Sequence, residues 1–120
     1  TNGDGISTTS AAPGDWSGIV ARNLSNLSLD SVIVTFGGGS SRVPGGFASF
    51  NAIEILQAEA RIANSVIEDN ASGAGDPGTT RRAARGLNDA AAIFVAGSQP
   101  IIVDNVIRNN SAIVPGLLNL

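Results

Sequence analysis

Isoleucine and valine recur at fixed places in two stretches of the chain that align without a gap. Residues 51–70 match residues 91–110 at an offset of 40, and both the apolar positions and the polar turn positions repeat. Within a copy, apolar residues such as Ile53 and Ile55 are two positions apart, which is the spacing of side chains on one face of a β-strand. Runs of Val, Ile and Asn oppose helix formation and suit short strands joined by polar bends. The pattern therefore predicts coils of two or three short strands.

Two further copies flank this repeat. One lies 34 residues upstream of the first copy and begins at Ser17, and another begins at Ala112, because Ile113 lies twenty residues after Ile93. The basic period is thus about twenty residues, interrupted by inserts, which is typical of a solenoid in which each repeat is one coil. Each strand is expected to pair in parallel with its equivalent in the next coil, so like residues form columns.

The predicted columns are apolar where they point inward and polar at the bends, where strands leave backbone groups unpaired. The apolar columns are Ile19, Ile53, Ile93 and Ile113, and Ile62 with Ile102. The polar columns are Asn64 with Asp104, and Asn70 with Asn110. The upstream copy has Asp30 and Phe36 at the two polar positions, so the second polar column is not expected to reach the first coil.

Four strings carry a resemblance to a known architecture: GDWSGI, LDSVIVTFGGG, ARIANSVIEDN and PIIVDNVIRNN. They resemble the right-handed parallel β-helix repeats of large secreted or surface-anchored bacterial proteins, the pectate-lyase-like superfold, over roughly residues 15–114. The resemblance implies an all-β fold, a right-handed parallel β-helix (β-solenoid) of about 3–4 coils with two insert loops, at an extracellular or cell-surface location. It does not fix the activity, because the superfold carries lyases, hydrolases, tailspikes, adhesins and inert stalks.

The chain divides into a segment rich in Gly, Asp and Ser at residues 1–14 and a β-helix repeat domain at residues 15–120. Inserts near residues 37–50 and 71–90 interrupt the repeat domain. Loops that project from a rigid scaffold are common binding sites. Any specific binding function is therefore expected in these inserts.

Four residues are candidates for binding an extracellular polysaccharide. Arg81, Arg82 and Arg85 form a basic cluster that would suit carboxylates or sulfates, and Trp16 would stack on a sugar ring. We favour a different interpretation of each. The arginines fit a capped helical turn with solvated or paired charges, and Trp16 fits a cover for the open end or flank of the first coil.

Asn2 and Asp4, in the opening sequence TNGDGIS, resemble the latter half of a calcium-binding loop. The Asp that would open such a loop is not in the sequence. Asn-Gly and Asp-Gly turns explain the same residues without a metal, and this is the interpretation we favour. We therefore expect no cofactor, with calcium as the alternative.

Composition narrows the function classes. The 120 residues are 42% hydrophobic but only 4% aromatic, so the core must be aliphatic. The chain has no His, Cys, Lys or Tyr, and Glu54 is expected to point outward beside Val20 and Phe94, so we predict that it is not an enzyme. The net charge of −3 argues against nucleic acid, and no apolar run is long enough to predict membrane insertion. A chain without Met that begins at Thr1 is expected to be a processed product or part of a longer protein.

These observations favour a structural β-solenoid module of an extracellular bacterial surface protein or fibre. Such a module would associate end to end, with flanking coils of a longer protein or with identical subunits, because the strand edges of an incomplete stack are open. A carbohydrate-binding or adhesin module is the alternative, and a polysaccharide-degrading β-helix enzyme ranks below it.

Overall fold

The computed structural model describes residues 9–43, 46–71, 91–111 and 114–119. Within these ranges the chain forms twelve β-strands and no helix. The strands are β1 (Ile19–Ala21), β2 (Asn26–Asp30), β3 (Ile33–Thr35), β4 (Ser40–Val43), β5 (Gly46–Ser49), β6 (Ile53–Leu56), β7 (Glu59–Ala63), β8 (Val66–Glu68), β9 (Ala91–Ala96), β10 (Ile101–Val103), β11 (Val106–Arg108) and β12 (Val114–Asn119). The fold is therefore all-β, as the sequence predicts.

Three parallel sheets contain most of the strands, and the chain visits them in a fixed order. Sheet A has the order β1-β6-β9-β12, sheet B the order β2-β7-β10, and sheet C the order β3-β8-β11. Each pass through A, B and C is called a layer: layer 1 is β1–β3, layer 2 is β6–β8 and layer 3 is β9–β11. Strand β12 adds to sheet A beyond layer 3. The antiparallel pair β4–β5 lies between layers 1 and 2 in the chain, within the first predicted insert.

The inward apolar positions are paired in register across the layers. Ile19 pairs with Ile53 and Ile53 pairs with Ile93. Leu117 pairs with Ile93 next, where the sequence had placed Ile113, a residue outside the described ranges. The register of β12 shifts between Val114 and Leu117. Pro115 lies in this interval and has no N–H to contribute to the ladder, so a count of twenty residues does not give the register.

The register of layer 1 differs from the predicted one by a single residue in sheets B and C. Ala21 pairs with Ile55 at an offset of 34, whereas Asp30 pairs with Ala63 at an offset of 33. The placement of Asp30 on Asn64 was therefore wrong. Layer 1 has one more residue than layer 2 in the bend between sheets A and B, and a gap-free alignment across that bend misplaces everything after it.

The core is aliphatic, as the scarcity of aromatic residues predicts. Its fully buried members come from all three sheets: Ile53, Ile55, Ile62, Ile67, Ile93 and Val95. Burying a side chain of this size contributes roughly 1.5–3 kcal/mol. On β6 and β9 the alternating positions Glu54 and Phe94 are buried as well, so both faces of the middle of sheet A are covered. The Glu54 carboxylate accepts a hydrogen bond from the Asn51 N–H at 3.2 Å.

Each bend contains one residue in the left-handed backbone region, at the same place in every layer. The φ angles are between 51° and 63°. From sheet A to B the residues are Leu24, Gln57 and Gly97; from B to C they are Ser31, Asn64 and Asp104; after sheet C they are Phe36, Asp69 and Asn109. Asn and Asp tolerate this conformation better than other residues with a Cβ, which explains their recurrence at the bends.

Candidate assembly surface

A column of buried side-chain amides joins the layers after sheet C. The Oδ1 atom of Asn70 accepts the Gly37 N–H at 2.8 Å, and the Oδ1 atom of Asn110 accepts the Asn70 N–H at 3.1 Å. The amide nitrogens donate to carbonyl oxygens of the preceding layer: Asn70 to Val34 and Asn110 to Ile67, each at 2.9 Å. Buried backbone groups at the bend are thereby paired where the strands end.

A second column lies at the bend between sheets B and C. The Oδ1 atom of Asn105 accepts the Ser65 N–H at 2.9 Å, and the Ser65 Oγ accepts the Val32 N–H at 3.2 Å. Asn105 also donates its amide to the carbonyl of Ile62 at 2.8 Å. This hydrogen-bonded column is one residue later than the predicted one.

The predicted pair at this bend has another role. Asn64 and Asp104 are exposed and occupy the left-handed position. Asn64 donates its side-chain amide to the carboxylate of Asp30 at 3.2 Å. The signal for the real column was present in the sequence, because Ser65 aligns with Asn105 at the same offset of 40. Serine and asparagine differ in type, so the alignment does not show this column as a repeat, although both residues offer a short side-chain oxygen.

At these bends, the bonds from backbone N–H groups to side-chain oxygens run in one direction along the stack. The oxygen acceptor belongs to the later layer and the N–H to the earlier one, and Ser98 repeats this at the first bend by accepting the Ala58 N–H at 3.0 Å. Layer 1 has Val32 and Gly37 at the equivalent positions. Neither has a side-chain oxygen. At these two bends, layer 1 therefore donates its N–H groups to side-chain oxygens of layer 2, but it has no side-chain oxygen that could accept an N–H from another layer. The two ends of the stack are chemically different.

The layer 1 end is covered beside sheet C. The indole N–H of Trp16 donates to the carbonyl of Thr35 at 2.7 Å, which pairs an acceptor on the edge strand β3. Its ring lies against Gly37, where a Cβ would be 3.1 Å from the ring and 3.2 Å from Asn70 Oδ1. A side chain at this position would therefore require the Trp16 ring or the Asn70 amide to shift by a few tenths of an ångström. Val34, the inward residue of β3, is only 5% exposed.

Among the described residues, no strand pairs with the layer 3 end in sheets B and C. Strands β10 and β11 are the edges of their sheets, and among the described strands β12 adds only to sheet A. Ile62 and Ile67 are completely buried, but their partners Ile102 and Ile107 in layer 3 are only partly buried. Three of the four outward residues of the same two strands are also apolar and exposed, namely Ile101, Val103 and Val106, and the fourth is Arg108. An open edge next to exposed apolar side chains is a surface for a further strand.

Two ion pairs lie on the outside of the stack. Arg108 donates to Glu68 at 2.7 Å, and Arg61 donates to Asp30 at 2.7 Å. The bond from Arg61, followed by those from Asn64 and Ser31, lowers the pKa of Asp30 from 3.8 to about 2. These exposed pairs connect neighbouring layers, and screening by solvent keeps the contribution of such pairs to stability small.

The remaining predicted site residues are outside the described ranges. This applies to Arg81, Arg82 and Arg85 and to the calcium candidates Asn2 and Asp4. Within the part of the chain that the structure describes, no three Asp, Glu, His or Cys side chains form a group able to hold a metal ion. The same residues include no helix with the length and apolar character needed to cross a membrane.

In comparisons with known proteins, no family model matches the chain, and no curated protein or solved structure matches it either.

Proposed function

We propose that this chain is a structural module: a right-handed parallel β-helix, or β-solenoid, that adds length and stiffness to a larger extracellular bacterial surface protein or fibre. The repeated order of sheets A, B and C and the paired columns support the β-helix. The resemblance of the repeats to those of bacterial surface proteins supports the location. The module has no enzymatic role in this proposal.

One observation carries the functional part of the proposal. Inward positions that are fully buried in layer 2 are only partly buried in layer 3, as the pairs Ile62–Ile102 and Ile67–Ile107 show. Apolar surface and backbone edges in contact with water are unfavourable, and a further parallel layer would cover both. The layer 3 end is therefore the surface through which the module associates with flanking coils or with identical subunits.

Analytical ultracentrifugation of the purified chain tests this proposal. We expect association that increases with concentration, and filaments in electron micrographs. Ile107→Lys should reduce it, because a charge beside the docking surface opposes burial by a further layer, while the long side chain can reach water through the open end. Ile33→Lys is the matched control, because Ile33 is 67% exposed on the outer face of layer 1. A stable monomer of about 12 kDa at every concentration would contradict the proposal.

A carbohydrate-binding or adhesin module is the alternative. A shallow depression near the bend from sheet A to sheet B favours it, because its lining offers amide and charged groups that bond sugar hydroxyls: Asn26, Glu59, Arg61 and Gln99. The described residues that line this depression include no aromatic ring. Trp16 already uses its N–H on Thr35. A glycan array on the monomeric fraction separates this alternative from the structural module.

A further inference from the structure

The direction of the interlayer hydrogen bonds determines which partner fits the open end. In both amide columns the later layer supplies an oxygen to an N–H of the earlier layer, and an NH₂ group to a carbonyl three residues before that N–H. Applied to layer 3, the same geometry makes the Asn105 N–H and the carbonyls of Ile102 and Ile107 the groups that a following layer would meet.

We infer that the layer 3 end binds a parallel strand–bend–strand segment with asparagine at the positions equivalent to Asn105 and Asn110. This inference rests on the proposed function and specifies the partner. The partner's first amide would accept the Asn105 N–H and donate to Ile102, and its second would donate to Ile107. The segment's apolar residues would cover Ile102 and Ile107 in the way that layer 3 covers Ile62 and Ile67.

Layer 1 of a second copy is a poor match for this surface. It would place Val32 over Asn105 and Gly37 over Asn110, so neither bend would receive a side-chain amide. The Trp16 indole also lies against Gly37 at that end of the molecule. Burying backbone groups without partners is unfavourable, so the matching segment is a layer of the layer 3 type. Association between copies through layer 1 is correspondingly weaker.

Extension of the chain tests this inference, because β12 already starts a fourth pass through sheet A. Asn119 pairs with Val95, so a copy of residues 97–111 added after Leu120 continues that pass into sheets B and C. The matched control is the same extension with Val in place of the copy of Asn105 and Gly in place of the copy of Asn110, as in layer 1. Hydrogen exchange is measured at the amide of Asn105, with the already bonded amide of Ser65 as the internal reference.

We expect the asparagine extension to slow exchange at Asn105 by about tenfold relative to the Val/Gly extension, as the net strength of one hydrogen bond predicts. Equal protection of Asn105 by both extensions would overturn the inferred chemistry but leave the docking surface intact. No protection of β10 and β11 by either extension would overturn both this inference and the proposed function.

Synthetic peptides give a second measurement that does not depend on folding of the extended chains. The two 15-residue sequences are added to the unmodified chain, and binding is followed by the same exchange reporter. The asparagine peptide should bind about tenfold more tightly than the Val/Gly peptide. Equal affinities would contradict the inference.

Discussion

The side-chain oxygen of Asn110 accepts the backbone N–H of Asn70 at 3.1 Å, although the two residues are 40 positions apart in the chain. Asn70 in turn accepts from Gly37 at 2.8 Å, so one line of hydrogen bonds connects all three layers. The core around this line consists of aliphatic side chains that pack without directional contacts. The amide column therefore supplies the directional bonds that hold the bend after sheet C in register.

Replacement of Asn70 tests the contribution of this column. Its side chain is fully buried and also donates to the carbonyls of Val34 and Glu68. Asn70→Leu preserves the approximate size of the side chain but removes these bonds, so we expect a loss of about 1–3 kcal/mol in the free energy of unfolding. Urea denaturation measures the change. Asn23→Leu, at an exposed position in the first bend, should change stability little, and equal effects at the two sites would contradict the role assigned to Asn70.

The pH dependence of stability should report the ion pair of Asp30. Its pKa is lowered to about 2 in the folded chain from the ordinary 3.8, chiefly by the hydrogen bond from Arg61. A lowered carboxyl pKa contributes stability that is fully present above 3.8 and is lost as the pH falls toward about 2. In the Asp30→Asn variant, the melting temperature should therefore depend less on pH between about 2 and 3.8.

Titration of the Asp30 carboxyl by NMR provides the direct measurement. Arg61→Gln should move the pKa of Asp30 back toward its ordinary value, because the principal cause of the shift is removed. Arg108→Gln, which breaks the separate pair with Glu68, is the control. A titration of Asp30 that is unchanged by Arg61→Gln would refute this assignment.

Much of the fold was predictable because layers 2 and 3 have identical spacing. Ile53 and Ile93, Ile62 and Ile102, and Val66 and Val106 all pair at the offset of 40 that the sequence shows. Because the two layers align without gaps, each alternation of apolar and polar residues predicts a strand and shows which of its side chains face the core. The all-β class and the inward positions of these layers follow from that regularity.

The errors arose where the chain changes length at a bend. One extra residue before Leu24 moves Asp30 from Asn64 to Ala63, and the interval around Pro115 puts Leu117 on Ile93. Local composition does not reveal such changes, because any polar residue fits an exposed bend. The burial of Glu54 was likewise not predictable, since burial of an outward position depends on contacts from elsewhere in the chain.

Ile93 should be essential for folding. It is completely buried in β9, between Ile53 and Leu117. Ile93→Asp puts an unpaired charge into an aliphatic column at a cost of several kcal/mol, against a total stability of about 5–15 kcal/mol for a domain. We expect loss of the β-sheet signal in circular dichroism and loss of cooperative unfolding. Ile33→Asp changes an exposed isoleucine and should leave both signals in place. A soluble Ile93→Asp variant that unfolds cooperatively would contradict the inward position of this residue.

Leu24 is a site where the chain can be stabilised. It is fully exposed and holds the left-handed conformation, with φ 63°, at the position that layer 3 fills with Gly97, also at φ 63°. A residue with a Cβ is strained there by roughly 1–2 kcal/mol, whereas glycine is not, although glycine loses more backbone entropy on folding. Leu24→Gly should therefore raise the free energy of unfolding by up to about 1 kcal/mol, measured by thermal and urea denaturation. Arg22→Gly, two residues earlier and also exposed, has no left-handed strain to relieve and should be neutral or destabilising. A loss of stability on Leu24→Gly as large as that on Arg22→Gly would show that the first bend does not adopt the left-handed geometry shared by the other two layers.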